Sequence, residues 1–97
     1  METYMVVCKF APGTDMTEVM SIVAQEQAKV QELKDLGRIG ALYLATRDRG
    51  TVFLEIFAAD IEAARITVMS LPMSKWWDLD IYPLNAPVAR DSSVSNA

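Results

Sequence analysis

The strands encoded by this sequence are apolar on both faces, yet only two helices are available to cover them. Residues Thr3 to Phe10 alternate, with Tyr4, Val6, Cys8 and Phe10 on one face and Met5 and Val7 on the other. Thr51 to Ala58 repeats the pattern, with Phe53 and Phe57 on one side and Val52, Leu54 and Ile56 on the other. Arg38 to Thr46, rich in Leu, Ile and Tyr, and Trp77 to Pro83 supply two further strands. A strand apolar on both faces must be central or covered by a second layer. Two helices cover one face of a four-stranded sheet, so the other keeps an apolar patch larger than a soluble monomer usually exposes.

The elements between the strands follow from local signals. Pro12-Gly13 turns the chain, and Asp15 with Glu18 has capping-box spacing at the start of a helix over Met16–Leu36. Gly37 is placed to stop that helix at its C′ position. Arg47-Asp48-Arg49-Gly50 suits a hairpin loop. Asp60 caps a second helix, Ile61 to Leu71, whose Ile61, Ala64, Val68 and Leu71 share a face, and Pro72 ends it. The order β-α-β-β-α-β is the split βαβ arrangement of an α+β, ferredoxin-like sandwich: a four-stranded antiparallel sheet with both helices on one face. Sheet-to-sheet pairing of two copies into a dimeric α+β barrel would cover the other face. Residues 1–86 form one domain, and 87–97 read as a flexible polar tail.

Glu26 breaks the pattern of the first helix. Val19, Ile22, Val23, Val30 and Leu33 recur at helical spacing, and at about 100° per residue Glu26 falls in the middle of their stripe. Gln25, Gln27, Gln31 and Glu32 point elsewhere. A carboxylate turned toward a core loses hydration and its pKa rises, which suits a group that takes a proton from a bound substrate. The structural alternative is an acid paired with an arginine or reaching to the rim.

Composition removes many other chemistries. The 97 residues contain no histidine, so Ser-His-Asp and Cys-His catalysis, His-Cys zinc sites and haem held by histidine have no ligands or bases here. No phosphate-binding glycine loop and no EF-hand spacing is present. The chain therefore reads as cofactor-free and without a metal. A net charge of −4 argues against a nucleic-acid partner, and no apolar run approaches the roughly 18 residues of a membrane span. One cysteine and no signal-type leader give a cytoplasmic location. Cys8, mid-strand, reads as a small core residue.

The segment Leu71-Pro72-Met73-Ser74-Lys75-Trp76-Trp77-Asp78-Leu79-Asp80-Ile81, closing with Leu84, resembles muconolactone delta-isomerase and its relatives. Ile61-Glu62-Ala63, Glu26 and Gly37 extend the resemblance over about residues 4–84. It implies a ferredoxin-like chain in a homo-oligomer and a cofactor-free isomerase that moves a proton on an unsaturated lactone. The family's acid/base glutamate falls on Glu26. A family lysine about one turn earlier is replaced by Ile22 and Val23. A tyrosine and an asparagine at the third strand fall on Gly50 and Val52, and a histidine near the hairpin has no counterpart. The resemblance thus implies a more apolar pocket and a larger or less charged substrate.

The resulting candidates are Glu26 and Tyr43 as catalytic groups, with Ile22, Val23, Val52, Leu54, Trp76 and Trp77 lining a substrate pocket. Met20, Met69 and Met73 suit an adaptable cavity. Lys75, Arg47 and Arg49 are surface charges of which one could reach the pocket rim. Asp78 and Asp80 read as a solvated edge face, and Glu55 as the partner of a cation on the dimer face. The leading function is a cofactor-independent isomerase or cyclase acting on a small hydrophobic carbonyl or lactone compound. The alternatives on the same fold are a cofactor-free monooxygenase or polyketide-tailoring enzyme and a non-catalytic small-molecule-binding homo-oligomer.

Overall fold

The computed structural model describes residues 1–86; the expected tail lies outside the described residues. Four strands, β1 (Glu2–Phe10), β2 (Ile39–Ala45), β3 (Thr51–Ala58) and β4 (Trp77–Leu84), form one sheet in the order β2-β3-β1-β4. Every neighbouring pair is antiparallel. The registers place Tyr4 opposite Ile56, Val6 opposite Leu54 and Cys8 opposite Val52, so these side chains share one face. Helices cover that face only, and Val19, Leu33, Ala64 and Val68 complete the core from above. This is the ferredoxin-like arrangement expected from the order of elements. No helix among the described residues is long and apolar enough to cross a membrane.

The first helix is not continuous. It divides into α1 (Met16–Ser21) and α2 (Val23–Asp35) at Ile22, whose φ of −115° and ψ of 16° leave the helical region. The Ser21 hydroxyl donates to the Glu18 carbonyl at 2.6 Å, competing with the backbone ladder. The Ile22 N–H meets the Val19 carbonyl three residues back. A sequence stripe that runs on through Ile22 hides this break. Asp15 caps α1 by accepting from the Thr17 and Glu18 amides. At the far end Gly37, with φ of +74°, closes α2, while Arg38 N–H bonds to the Leu33 carbonyl and Gly37 N–H to that of Lys34.

Three smaller boundaries also differ from the sequence reading. The hairpin after β2 contains a short helical turn, α3 (Thr46–Arg49), ended by Gly50 in the left-handed region. The second helix, α4 (Ile61–Met69), stops before Leu71, and its Ile61 is 43% exposed because it sits in the first turn beside the Asp60 cap. Residues Pro72–Trp76 form a 3₁₀ turn into β4.

Among the described residues of the single chain Glu55 makes no ion pair. Its carboxylate accepts from the Ala41 N–H at 2.9 Å, where the β2–β3 register shifts between Ile39 and Leu42. The bulge leaves that amide without a ladder partner, and Glu55 supplies one. Gly40 makes the approach possible: a Cβ there would overlap the Glu55 carboxylate and lie 2.8 Å from the Phe57 ring. Beyond the bulge Leu42 and Leu44 face the helices and Tyr43, opposite Phe53, faces away.

Candidate active site

A cavity of about 610 Å³ opens between the helices and the sheet. Met16, Val19 and Met20 of α1 and Val23, Glu26, Gln27, Val30, Gln31 and Lys34 of α2 form its roof. The α2 set follows the helical repeat of one face, three or four residues apart. Phe10, Leu42, Leu44, Val52 and Leu54 form the floor, and Met73 and Trp77 close one end.

Glu26 is 9% exposed, and one carboxylate oxygen accepts from the Met73 backbone N–H at 2.8 Å. The bond follows from the chain's own chemistry. Pro72 opens the 3₁₀ turn without an N–H, and Met73 carries a first-turn amide that has no partner inside the turn. Glu26 fills that vacancy from 47 residues away. Burial raises the Glu26 pKa above the ordinary value of 4.5, and the Met73 bond opposes the rise only in part. The carboxyl group's second oxygen has no hydrogen-bond partner among the described residues.

The cavity brings together Glu26, Val23, Val52, Leu54 and Trp77 of the candidates, along with Met20 and Met73. Tyr43 is not among them. It is 61% exposed on the opposite face of the sheet, because Leu42 and Leu44 take the inward positions of β2. Ile22 packs against the core at the break between α1 and α2 and does not line the cavity. Trp76 lies outside too, with the Lys75 ammonium 4.6 Å from its ring centroid. Met69, Arg47 and Arg49 also lie outside it. Asp78 and Asp80 are exposed, and the Tyr82 hydroxyl donates to Asp80 at 2.7 Å; that bond is the main cause of a raised Tyr82 pKa.

Cys8 is buried on the helix-covered face of β1 opposite Val52, where desolvation first, and the Glu26 carboxylate second, push its thiol up to about 12. A thiol so held is not a nucleophile at neutral pH. Trp77 packs edge-on against Phe10 with centroids 6.1 Å apart, and its buried indole N–H finds no acceptor among the described residues. Among the described residues no three His, Cys, Asp or Glu side chains stand close enough to hold a metal ion.

Two groups escaped the sequence reading. Lys34 lines the cavity although a lysine near the end of an amphipathic helix reads as solvated surface; its signal was the spacing Val23, Glu26, Val30, Lys34. Gln27 and Gln31, read as pointing away, edge the same cavity.

The chain is thus a small ferredoxin-like α+β protein with one buried carboxylate in the wall of a largely apolar cavity. The sequence profile of the muconolactone delta-isomerase family matches residues 3–88, and the chain belongs to that family. Two solved structures share the fold. A 5-chloro-2-hydroxyhydroquinone dehydrochlorinase from Burkholderia phenoliruptrix, in complex with 2,5-dihydroxybenzoquinone, is 16% identical with a TM-score of 0.69, over 88% of this chain and 95% of that one. A muconolactone isomerase is 19% identical with a TM-score of 0.69, over 93% of this chain and 96% of that one. A search of curated proteins gives no significant match.

Proposed function

We propose that this protein is a cofactor-independent isomerase or cyclase that moves a proton on a small hydrophobic carbonyl or lactone compound, with Glu26 as general acid and base. One observation carries the reading: a carboxyl group of raised pKa, bonded through a single oxygen, in the wall of an otherwise apolar cavity. The Met73 bond fixes the side chain's direction and leaves the other oxygen to receive a proton from a carbon α to the carbonyl. The electron pair of the broken C–H bond passes to the carbonyl oxygen as an enolate. Return of the proton from Glu26 to another carbon completes the shift without net oxidation. Raising the pKa toward the working pH makes one group fit for both steps. In this reading the side-chain amide of Gln27 stands in for Tyr43 as donor to the enolate oxygen. Membership of the muconolactone delta-isomerase family supports an intramolecular proton transfer.

A second reading has an observation of its own. The Glu26–Met73 bond by itself accounts for a buried acid, as in a binding protein without turnover. Glu26→Gln separates the two, since glutamine keeps an oxygen for the Met73 amide but cannot serve as the base. Unsaturated lactones and small enones incubated in D₂O would be followed by proton NMR for double-bond migration and deuterium uptake. Turnover is expected to fall roughly 10²–10⁴-fold in Glu26→Gln. Survival within about tenfold of the wild type would rule Glu26 out as the base. Oxygen uptake would instead mark a monooxygenase, and chloride release a dehydrochlorination like that of the structural neighbour.

A further inference from the structure

Among the described residues Lys34 is the only lysine or arginine that lines the cavity, and Glu26 is the only acid. The two lie on the same helix, eight residues apart, which at about 1.5 Å per residue separates their Cα atoms by about 12 Å along the axis. Lys34 makes no ion pair among the described residues, where the two pairs present are Lys29–Glu32 and Arg65–Glu62. The nearest acid in sequence, Asp35, is engaged by the Gln31 amide at 2.9 Å. Between the charged ends the surface is mostly apolar, with Val30 above and Leu42 and Leu54 below, while the Gln27 and Gln31 side chains edge it, and the exposed Leu44 and Met20 carry the apolar character to the opening.

We propose that the cavity takes an elongated, singly anionic amphiphile whose apolar body spans from Glu26 to Lys34, with its carboxylate or similar compact anion held by the Lys34 ammonium. Three features select this ligand. The exposed Lys34 ammonium at the rim offers an anion a charged partner that a neutral ligand cannot use. A short acid would bring its charge next to Glu26 and repel it. A cation adjacent to Glu26 would favour the ionised form, whereas Lys34, about two helical turns along, is not among the influences on the Glu26 pKa, which are burial and the Met73 bond. The placement of the reacting carbon at Glu26 rests on the function proposed above; the anion preference at Lys34 does not.

Binding alone tests it. The purified full chain is titrated with octanoate and with 1-octanol at about pH 8, where the acid is ionised, following tryptophan fluorescence because Trp77 borders the cavity. Octanoate should bind about fivefold more tightly than 1-octanol at low salt. That preference should disappear in Lys34→Met, persist in Lys34→Arg and persist in Glu26→Gln. Equal affinity for the two ligands, a preference unchanged in Lys34→Met, or no binding of either overturns the proposal. Loss of turnover in Glu26→Gln without any anion preference would keep the base and discard the anion site. Unchanged turnover in Glu26→Gln with the preference intact would do the reverse.

Discussion

Glu26 titrates in surroundings that disfavour its charge, and this links the site to stability. The unfolded chain releases that proton near the ordinary value of 4.5, and the folded chain releases it at higher pH. The folded state therefore holds more protons in the window above 4.5, and stability falls as pH rises through it. The contribution is fully present below 4.5 and is lost once pH passes the folded-state pKa. Glu26→Gln has no such titration, so its stability relative to wild type should rise between about pH 4 and about pH 8 in urea denaturation. Parallel behaviour of the two proteins would mean that the carboxyl group is not desolvated. Glu26 was legible because a charge in the middle of an apolar stripe violates helical patterning. Tyr43 was misassigned, because a tyrosine near a hairpin invites a catalytic role that its outward position between the inward Leu42 and Leu44 does not support. Lys34 was hidden, because a charged residue at the edge of a stripe conforms to the pattern of a solvated helix.

Among the elements, β2 carries the least regular pairing and governs the cavity floor. Its bulge depends on Gly40, which lets the Glu55 carboxylate reach the Ala41 amide across the strand. Gly40→Ala places a methyl group against that carboxylate and the Phe57 ring and should cost about 1–3 kcal/mol of stability. An unchanged urea midpoint would show that the strand relaxes without loss. The strands and both helix starts were readable from period and caps, since Asp15 and Asp60 each accept amide hydrogens as N-caps. The break at Ile22 was not, because Val19, Ile22 and Val23 keep helical spacing across it. The bulge was equally silent, as a lone glycine in a strand signals a close approach without saying to what.

For the whole molecule, no described residue covers the sheet face opposite the helices, with Met5, Val7, Phe53 and Phe57 only half buried. Pairing that face with a second copy would remove several hundred Å² per chain, on the order of 10 kcal/mol before association costs. The protein is accordingly expected to sediment as a homodimer or a larger ring at micromolar concentration, and a stable monomer of 10.8 kDa would contradict the barrel. The fold was legible at this scale because the order of elements admits few topologies. The cavity was legible only in outline, since Gln27, Gln31 and Lys34, which edge it, conform to the pattern of a solvated helix face. The central claim is that this cavity holds a carboxyl group tuned for proton transfer, and carbon-13 NMR titration of the Glu26 side chain tests it most directly. The account predicts a midpoint above 4.5 that moves toward the ordinary range when the protein is unfolded in urea. A midpoint at or below 4.5 in the folded protein would contradict it.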